Sequence, residues 1–256
     1  MVRRMSHGAR AALFAPLDQT GRVEAVTRRL VDAITLGLLA DAEQLPAETD
    51  LAAQLGVSTV TVREALVALR QLGLVETRRG RGGGSFVRTP ADSPMAPWRE
   101  RLRAVSLADL RDVGDQYTAV AGAAAKLAAE RSSAEDLTRL ELAAEDIRAA
   151  TGPAASRAER HFHLEVAAAA QSPRLTHQEL LLQGEQGGLL WLPITHRTDD
   201  RPDDRGEHRE AGYAVHAAIV TAIGHGDGEL ARKLTEEHIL DAIDRLVVLH
   251  LELIDP

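Results

Sequence analysis

The sequence predicts a mainly α protein in two parts: three helices closed by a small β-hairpin, then an all-α bundle of about six helices. Three observations carry this reading. Between residues 22 and 73 apolar side chains recur at helical spacing between clear breaks. An arginine- and glycine-rich turn then separates two short β-prone runs. From Val105 to Leu253 the chain is rich in alanine and leucine at helical spacing, with almost no β-branched alternation.

Taken in order, residues 1–20 carry Arg3, Arg4 and Arg10 with no long apolar stretch behind them. They read as a flexible tail rather than a secretory leader. Residues 22–39 place Val23, Val26, Leu30, Ile34 and Leu38 on one helical face. After a break at Asp41–Gln44, Pro46 suits the first turn of a second helix, where a missing N–H costs nothing. That helix turns Leu51, Ala52 and Leu55 inward and stops at Gly56. Ser58 is a good N-cap for a third helix through Val62, Ala65, Leu66 and Leu69 to Gly73. Thr77 to Val87 reads as the hairpin, completing a unit over 21–89. Residues 90–104 contain Pro90, Pro94 and Pro97 without a regular apolar period, and read as a linker. The helical part, 105–254, is divided by breaks at Ser132-Ser133, Thr151-Gly152-Pro153, Ser172-Pro173, Pro193 to Gly206 and Gly224 to Gly228.

Composition excludes several classes. The 256 residues are 45% apolar and 27% charged, as in globular proteins, and no run of about 18 apolar residues predicts a membrane span. A cytoplasmic location is expected. With no cysteine, disulfides and thiolate metal sites are impossible, so any metal falls to His and carboxylates. The net charge of −8 divides unevenly. Residues 1–90 hold 12 Arg against 9 acidic residues, leaving 18 basic and 29 acidic of the chain's 30 and 38 for the remainder. The first part is therefore suited to a polyanion and the second is not.

Ala52, Gly56 and Val62 stand where a helix-turn-helix needs a small residue, a positive φ and an apolar lock. An ordinary αα-corner would share these features; a basic hairpin directly afterwards favours a nucleic-acid reader. The run Leu45-Pro46-Ala47-Glu48, Leu51-Ala52, Leu55-Gly56-Val57-Ser58, Thr61-Val62-Arg63-Glu64-Ala65-Leu66, Gly73-Leu74-Val75, Arg79-Gly80-Arg81-Gly82 and Phe86-Val87 resembles the winged helix-turn-helix signature of the GntR family of bacterial transcriptional regulators. The resemblance covers residues 22–88. It implies a recognition helix over about 59–71 in the major groove and a wing on the adjacent minor groove or backbone. Ser58 and Thr61 then lie where hydroxyls and free N–H groups favour phosphate. Arg63 can reach a phosphate or a guanine edge, or else simply pair Glu64 or Glu48. Arg79, Gly80 and Arg81 fall at the wing tip. Thr49 and Thr59 stand where many members carry arginine, and threonine makes no bidentate guanine contact, so a different operator is implied.

The segment from Leu107 to His238 resembles the helical effector domain, FCD, of the FadR-type branch. Its landmarks are Lys126 to Glu130, Glu159-Arg160-His161-Phe162-His163, and His216-Ala217-Ala218-Ile219 through Gly226-Asp227 to His238. Glu159 and His163, four apart, share one helix face, and His216 and His238 would come from two other helices. Three imidazoles and a carboxylate suit Zn²⁺, Ni²⁺ or another borderline divalent ion; single histidines are usually just hydrogen-bonded or exposed. Glu159 replaces the usual aspartate, moving the carboxylate by about 1.5 Å, one C–C bond. Tyr117, flanked by Gln116, stands where members that bind organic acids often have arginine, and Ala121 replaces a usual glutamate. Tyr117 marks an effector pocket whose ligand is less acidic, or is held mainly by the metal.

The resemblance implies a homodimer on a palindromic operator of double-stranded DNA, more often a repressor than an activator, answering to a small molecule such as an organic acid. Two alternatives stand: a metal-dependent enzyme with a DNA-binding appendage, and a regulator with a structural metal or none. Against the enzyme, there is no nucleophile elbow and no phosphate-binding glycine loop, since Gly82 to Gly84 belong to the wing.

Overall fold

The computed structural model describes residues 21–35, 37–80, 82–89, 96–195 and 205–254, except the side chains of 96, 97, 205–209 and 211. The segment 1–20, Arg81 and residues 90–95 of the expected linker lie outside the described residues. The chain divides into two compact units, Met1–Ser93 and Pro94–Pro256.

In the first unit, α1 (Arg22–Thr35), α2 (Glu48–Leu55) and α3 (Thr59–Gln71) precede β1 (Val75–Arg78) and β2 (Gly84–Val87). The apolar faces of α1 and α2 both pack on α3, burying Leu30, Ile34, Leu51, Val62, Leu66 and Leu69. Gly56 ends α2 with φ 65°, its N–H donating to the Ala52 carbonyl. Ser58 caps α3, its Oγ accepting from the Thr61 N–H at 3.1 Å. The strands pair antiparallel with Val75 opposite Val87 and Arg78 opposite Gly84, while Leu45 N–H donates to the Ser85 carbonyl along the free edge. At the tip a side chain on Gly83 would meet the Arg78 carbonyl at 2.5 Å, so the turn requires glycine.

Two boundaries differ from expectation. The first helix ends at Thr35, not Leu39: Gly37 takes φ 73°, and the Leu38 N–H turns back to the Ala33 carbonyl at 2.9 Å. Leu38 is buried by that reversal, so its helical spacing misled. Pro46 precedes the second helix, whose N-cap is Ala47.

The second unit contains α4 (Ala96–Ala104), α5 (Leu107–Arg131), α6 (Ala134–Ala149), α7 (Pro153–Ala169), α8 (Pro173–Glu185), a short α9 (Gly187–Leu190), α10 (Arg205–Gly224) and α11 (Gly228–Ile254). Six of these are long, as the breaks predict. Capping boxes start α5 at Ser106/Asp109 and α6 at Ser133/Asp136. Prolines open α7 and α8, where no N–H is missed. The most extensive pairing is α5 against α11.

The stretch read as linker is helical from Ala96 to Ala104. Leu102 is fully buried in a cluster with Leu110, Leu189, Leu192, Leu246 and Leu249, and its carbonyl lies 2.8 Å from His250 Nδ1. Three prolines suggested a break, but Pro97 falls in the first helical turn, where it is tolerated. Leu102→Ala should therefore destabilise this unit by about 2–5 kcal/mol, the usual cost of a buried leucine. Urea unfolding followed by tryptophan fluorescence checks this, because both tryptophans, Trp98 and Trp191, lie in the second unit. A change under about 0.5 kcal/mol would mean a surface position instead.

Candidate DNA-reading face and candidate metal centre

The start of α2, the arginines of α3 and the hairpin bound a groove lined by Gln44, Glu48, Arg63, Arg70, Thr77 and Arg79 among others. Arg63 is exposed, and both its Nε (3.0 Å) and Nη2 (2.8 Å) donate to Glu48 Oε2, so Glu48 rather than Glu64 is its partner. The Ser58 and Thr61 hydroxyls are 2.9 Å apart and bond one another. Thr59 is half-buried in the first turn beside Val60, which is 57% exposed. Arg79 and Gly80 are exposed at the tip, Gly80 with φ 97°. Arg70, whose Nη1 donates to Thr77 Oγ1 at 3.3 Å, was missed from sequence. Its spacing of seven from Arg63, two turns on one face, was the available signal.

In the second unit, Glu159 and His163 project from α7, His216 from α10 and His238 from α11. All four are buried, and one ligand-capable atom of each lies within 4.8 Å of the others. Glu159 Oε2 is 2.9 Å from His216 Nε2 and 3.5 Å from His238 Nε2. The longer glutamate thus reaches the cluster. The Gly212 carbonyl, 2.7 Å from His216 Nδ1, orients that ring so that Nε2 faces inward. The His163 ring is stacked 5.2 Å from Trp191 and 5.3 Å from His238, and neither of its nitrogens has a hydrogen-bond partner.

The electrostatics follow from burial and sharing. Burial would raise the Glu159 carboxyl, but His216 and His238 outweigh it and hold it well below its ordinary value. Burial lowers His216, yet the Glu159 charge more than compensates and its net shift is upward. Burial lowers His163 and His238, reinforced by the neighbouring imidazoles. The result is one anionic ligand beside two imidazoles biased toward the neutral, metal-binding form.

Tyr117, on α5, is fully buried with its ring edge toward His163 at 6.4 Å. Its hydroxyl faces Glu179 without meeting hydrogen-bond geometry, and burial followed by the Glu179 charge raises it well above its ordinary value. Glu179 and Gln183, four apart on α8, were not found from sequence: they interrupt a leucine-rich stretch, and nothing local marks the tertiary contact.

Residues 22–84 match the family model described as bacterial regulatory proteins, gntR family, and residues 112–241 match the FCD domain. RmpR of Mycobacterium gastri, named as an HTH-type transcriptional regulator, is 40% identical over 92% of this chain and 84% of its own. An L-lactate dehydrogenase operon regulatory protein of Escherichia coli is 31% identical over 77% of this chain and 75% of its own. Among solved structures, Escherichia coli McbR/YncC shares the fold, with a TM-score of 0.51 at 20% identity over 90% of this chain and 99% of that one. No described helix is long and apolar enough to cross a membrane. The chain belongs to the GntR family of bacterial transcriptional regulators, carries an FCD domain, and is a regulator rather than an enzyme.

Proposed function

We propose that the chain represses transcription by binding a palindromic operator as a homodimer, and that Glu159, His163, His216 and His238 hold a divalent ion through which a small organic acid is sensed. The carrying observation is the donor set itself: four buried residues with their ligand-capable atoms within 4.8 Å. Neither His163 nitrogen has a hydrogen-bond partner, and His238 Nε2 has only the Glu159 carboxylate, at 3.5 Å. Buried polar atoms left so are costly, and an ion would satisfy them together. Bound there, Zn²⁺ or Ni²⁺ would supply Lewis acidity and coordination positions for an effector carboxylate. The chain's own part is to keep Glu159 ionised, aim His216 through the Gly212 carbonyl, and exclude water with Phe162 and Trp191.

On DNA, Arg63 and the wing-tip residues Arg79 and Gly80 supply the contacts, joined by Arg81, which follows them in sequence, and by Ser58, Thr59 and Thr61 at the entering end of α3. The Arg63–Glu48 pair is exposed, and such pairs contribute only about 0–1 kcal/mol, so a phosphate or guanine can compete for the guanidinium.

Two outcomes test these halves. Thr59→Arg should shift the base preference recovered from randomised DNA toward guanine; an unchanged motif would place residue 59 off the bases. Plasma mass spectrometry of untagged chain supplied with Zn²⁺, Ni²⁺ and Mn²⁺ should find about one equivalent of metal per chain, and none in His163→Ala/His216→Ala. Absence of metal from both would sink the ion.

A further inference from the structure

Beside the four-residue centre lies a second buried polar group whose hydrogen-bonding capacity is only partly used. Glu179 and Gln183 are both fully buried. Glu179 Oε1 accepts from Gln183 Nε2 at 2.8 Å, which leaves Glu179 Oε2 and Gln183 Oε1 without partners. The Tyr117 hydroxyl and Trp191 Nε1 are likewise unpartnered. Tyr117 and Trp191 also flank the His163 ring, so this polar group adjoins the proposed metal centre. Gly187 leaves the Gln183 oxygen its space, because a Cβ there would sit 2.6 Å from it.

We propose that Glu179 and Gln183, with Tyr117, receive a protonated amino group of a ligand whose carboxylate reaches the Glu159 centre. This rests on the metal reading above and extends it to the ligand's other end. The unpartnered atoms of the α8 pair are both acceptors, so they call for a donor with several hydrogens. A hydroxyl donates once and satisfies one of them; an ammonium satisfies both and adds a charge opposite to the carboxylate's. A second carboxylate on the ligand would face Glu179 and be repelled. Burial pushes the Glu179 carboxyl up to about 7, with the Gln183 and Tyr117 side chains acting against it. A ligand ammonium would draw it back to the ionised form.

The test uses the full chain loaded with Co²⁺, whose visible spectrum reports a carboxylate arriving at the ion. Glycine, β-alanine, 4-aminobutanoate and 5-aminopentanoate are titrated calorimetrically beside acetate, propionate, butanoate and pentanoate. At one chain length the amino acid should bind at least about tenfold more tightly than its partner, and Glu179→Gln should cut that advantage below about threefold. Gln183→Met, which removes the other acceptor, serves if Glu179→Gln does not fold by circular dichroism. No amine preference at any length, or a preference that survives both substitutions, overturns the proposal. Failure to take up Co²⁺ would count against the metal reading alone. The metal-free chain would then be titrated with ethylamine to pentylamine against the matching alcohols, and the same preference and the same dependence on Glu179 would decide.

Discussion

A carboxylate removed from water and shared between two imidazoles sets the terms for the helical unit. Glu159 is 4% exposed, and an ionised carboxylate at such a position persists only with charged or hydrogen-bonding partners. His216 and His238 supply them from α10 and α11, so those helices must converge on α7. The sequence allows this through small residues. Gly114 and Gly122, eight apart on α5, let α11 approach closely: Cβ atoms there would sit 3.2 Å from Ile243 and 2.7 Å from Glu236. Each glycine inside a helix costs about 1 kcal/mol against alanine, which close packing of the two longest helices offsets. Ala125, Ala128, Ala143, Ala144 and Ala169 perform the same service in the core around Phe162.

The first unit is built on a different constraint, the turn between α2 and α3. Gly56 at positive φ reverses the chain, and Ser58 caps the following helix at once. Together they hold Thr59, Val60 and Thr61 at the leading end of α3, while the hairpin carries Arg79 into a groove that Arg63 and Arg70 of α3 also line. Hydroxyl and methyl groups at that leading end fit thymine methyls and phosphates better than guanine edges. The arginines of the same helix, Arg63 and Arg70, sit further back.

Much of this was legible in the residues because it is local. Gly56, Ser58, Pro153 and Pro173 act on the backbone within a few positions, and each marks an observed helix end. The four-residue spacing of Glu159 and His163 needs only a helix to become a shared face. The convergence of His216 and His238 on them was read through family likeness, not spacing. Other features depended on contacts that local pattern does not carry. The helix at Ala96–Ala104 is held by Leu102 and His250, which are far apart in sequence. Glu48 as partner of Arg63, and the pairing of Glu179 with the environment of Tyr117, are likewise tertiary facts. At Leu38 the periodic signal pointed the wrong way, because a buried leucine fits a helix face and a glycine reversal equally well.

X-ray absorption at the zinc edge of zinc-loaded chain tests the central claim most directly. The arrangement of Glu159, His163, His216 and His238 predicts outer-shell scattering from three imidazoles, with first-shell N/O distances of about 2.0–2.1 Å. Scattering from fewer than two imidazoles would contradict it and place the zinc elsewhere on the chain.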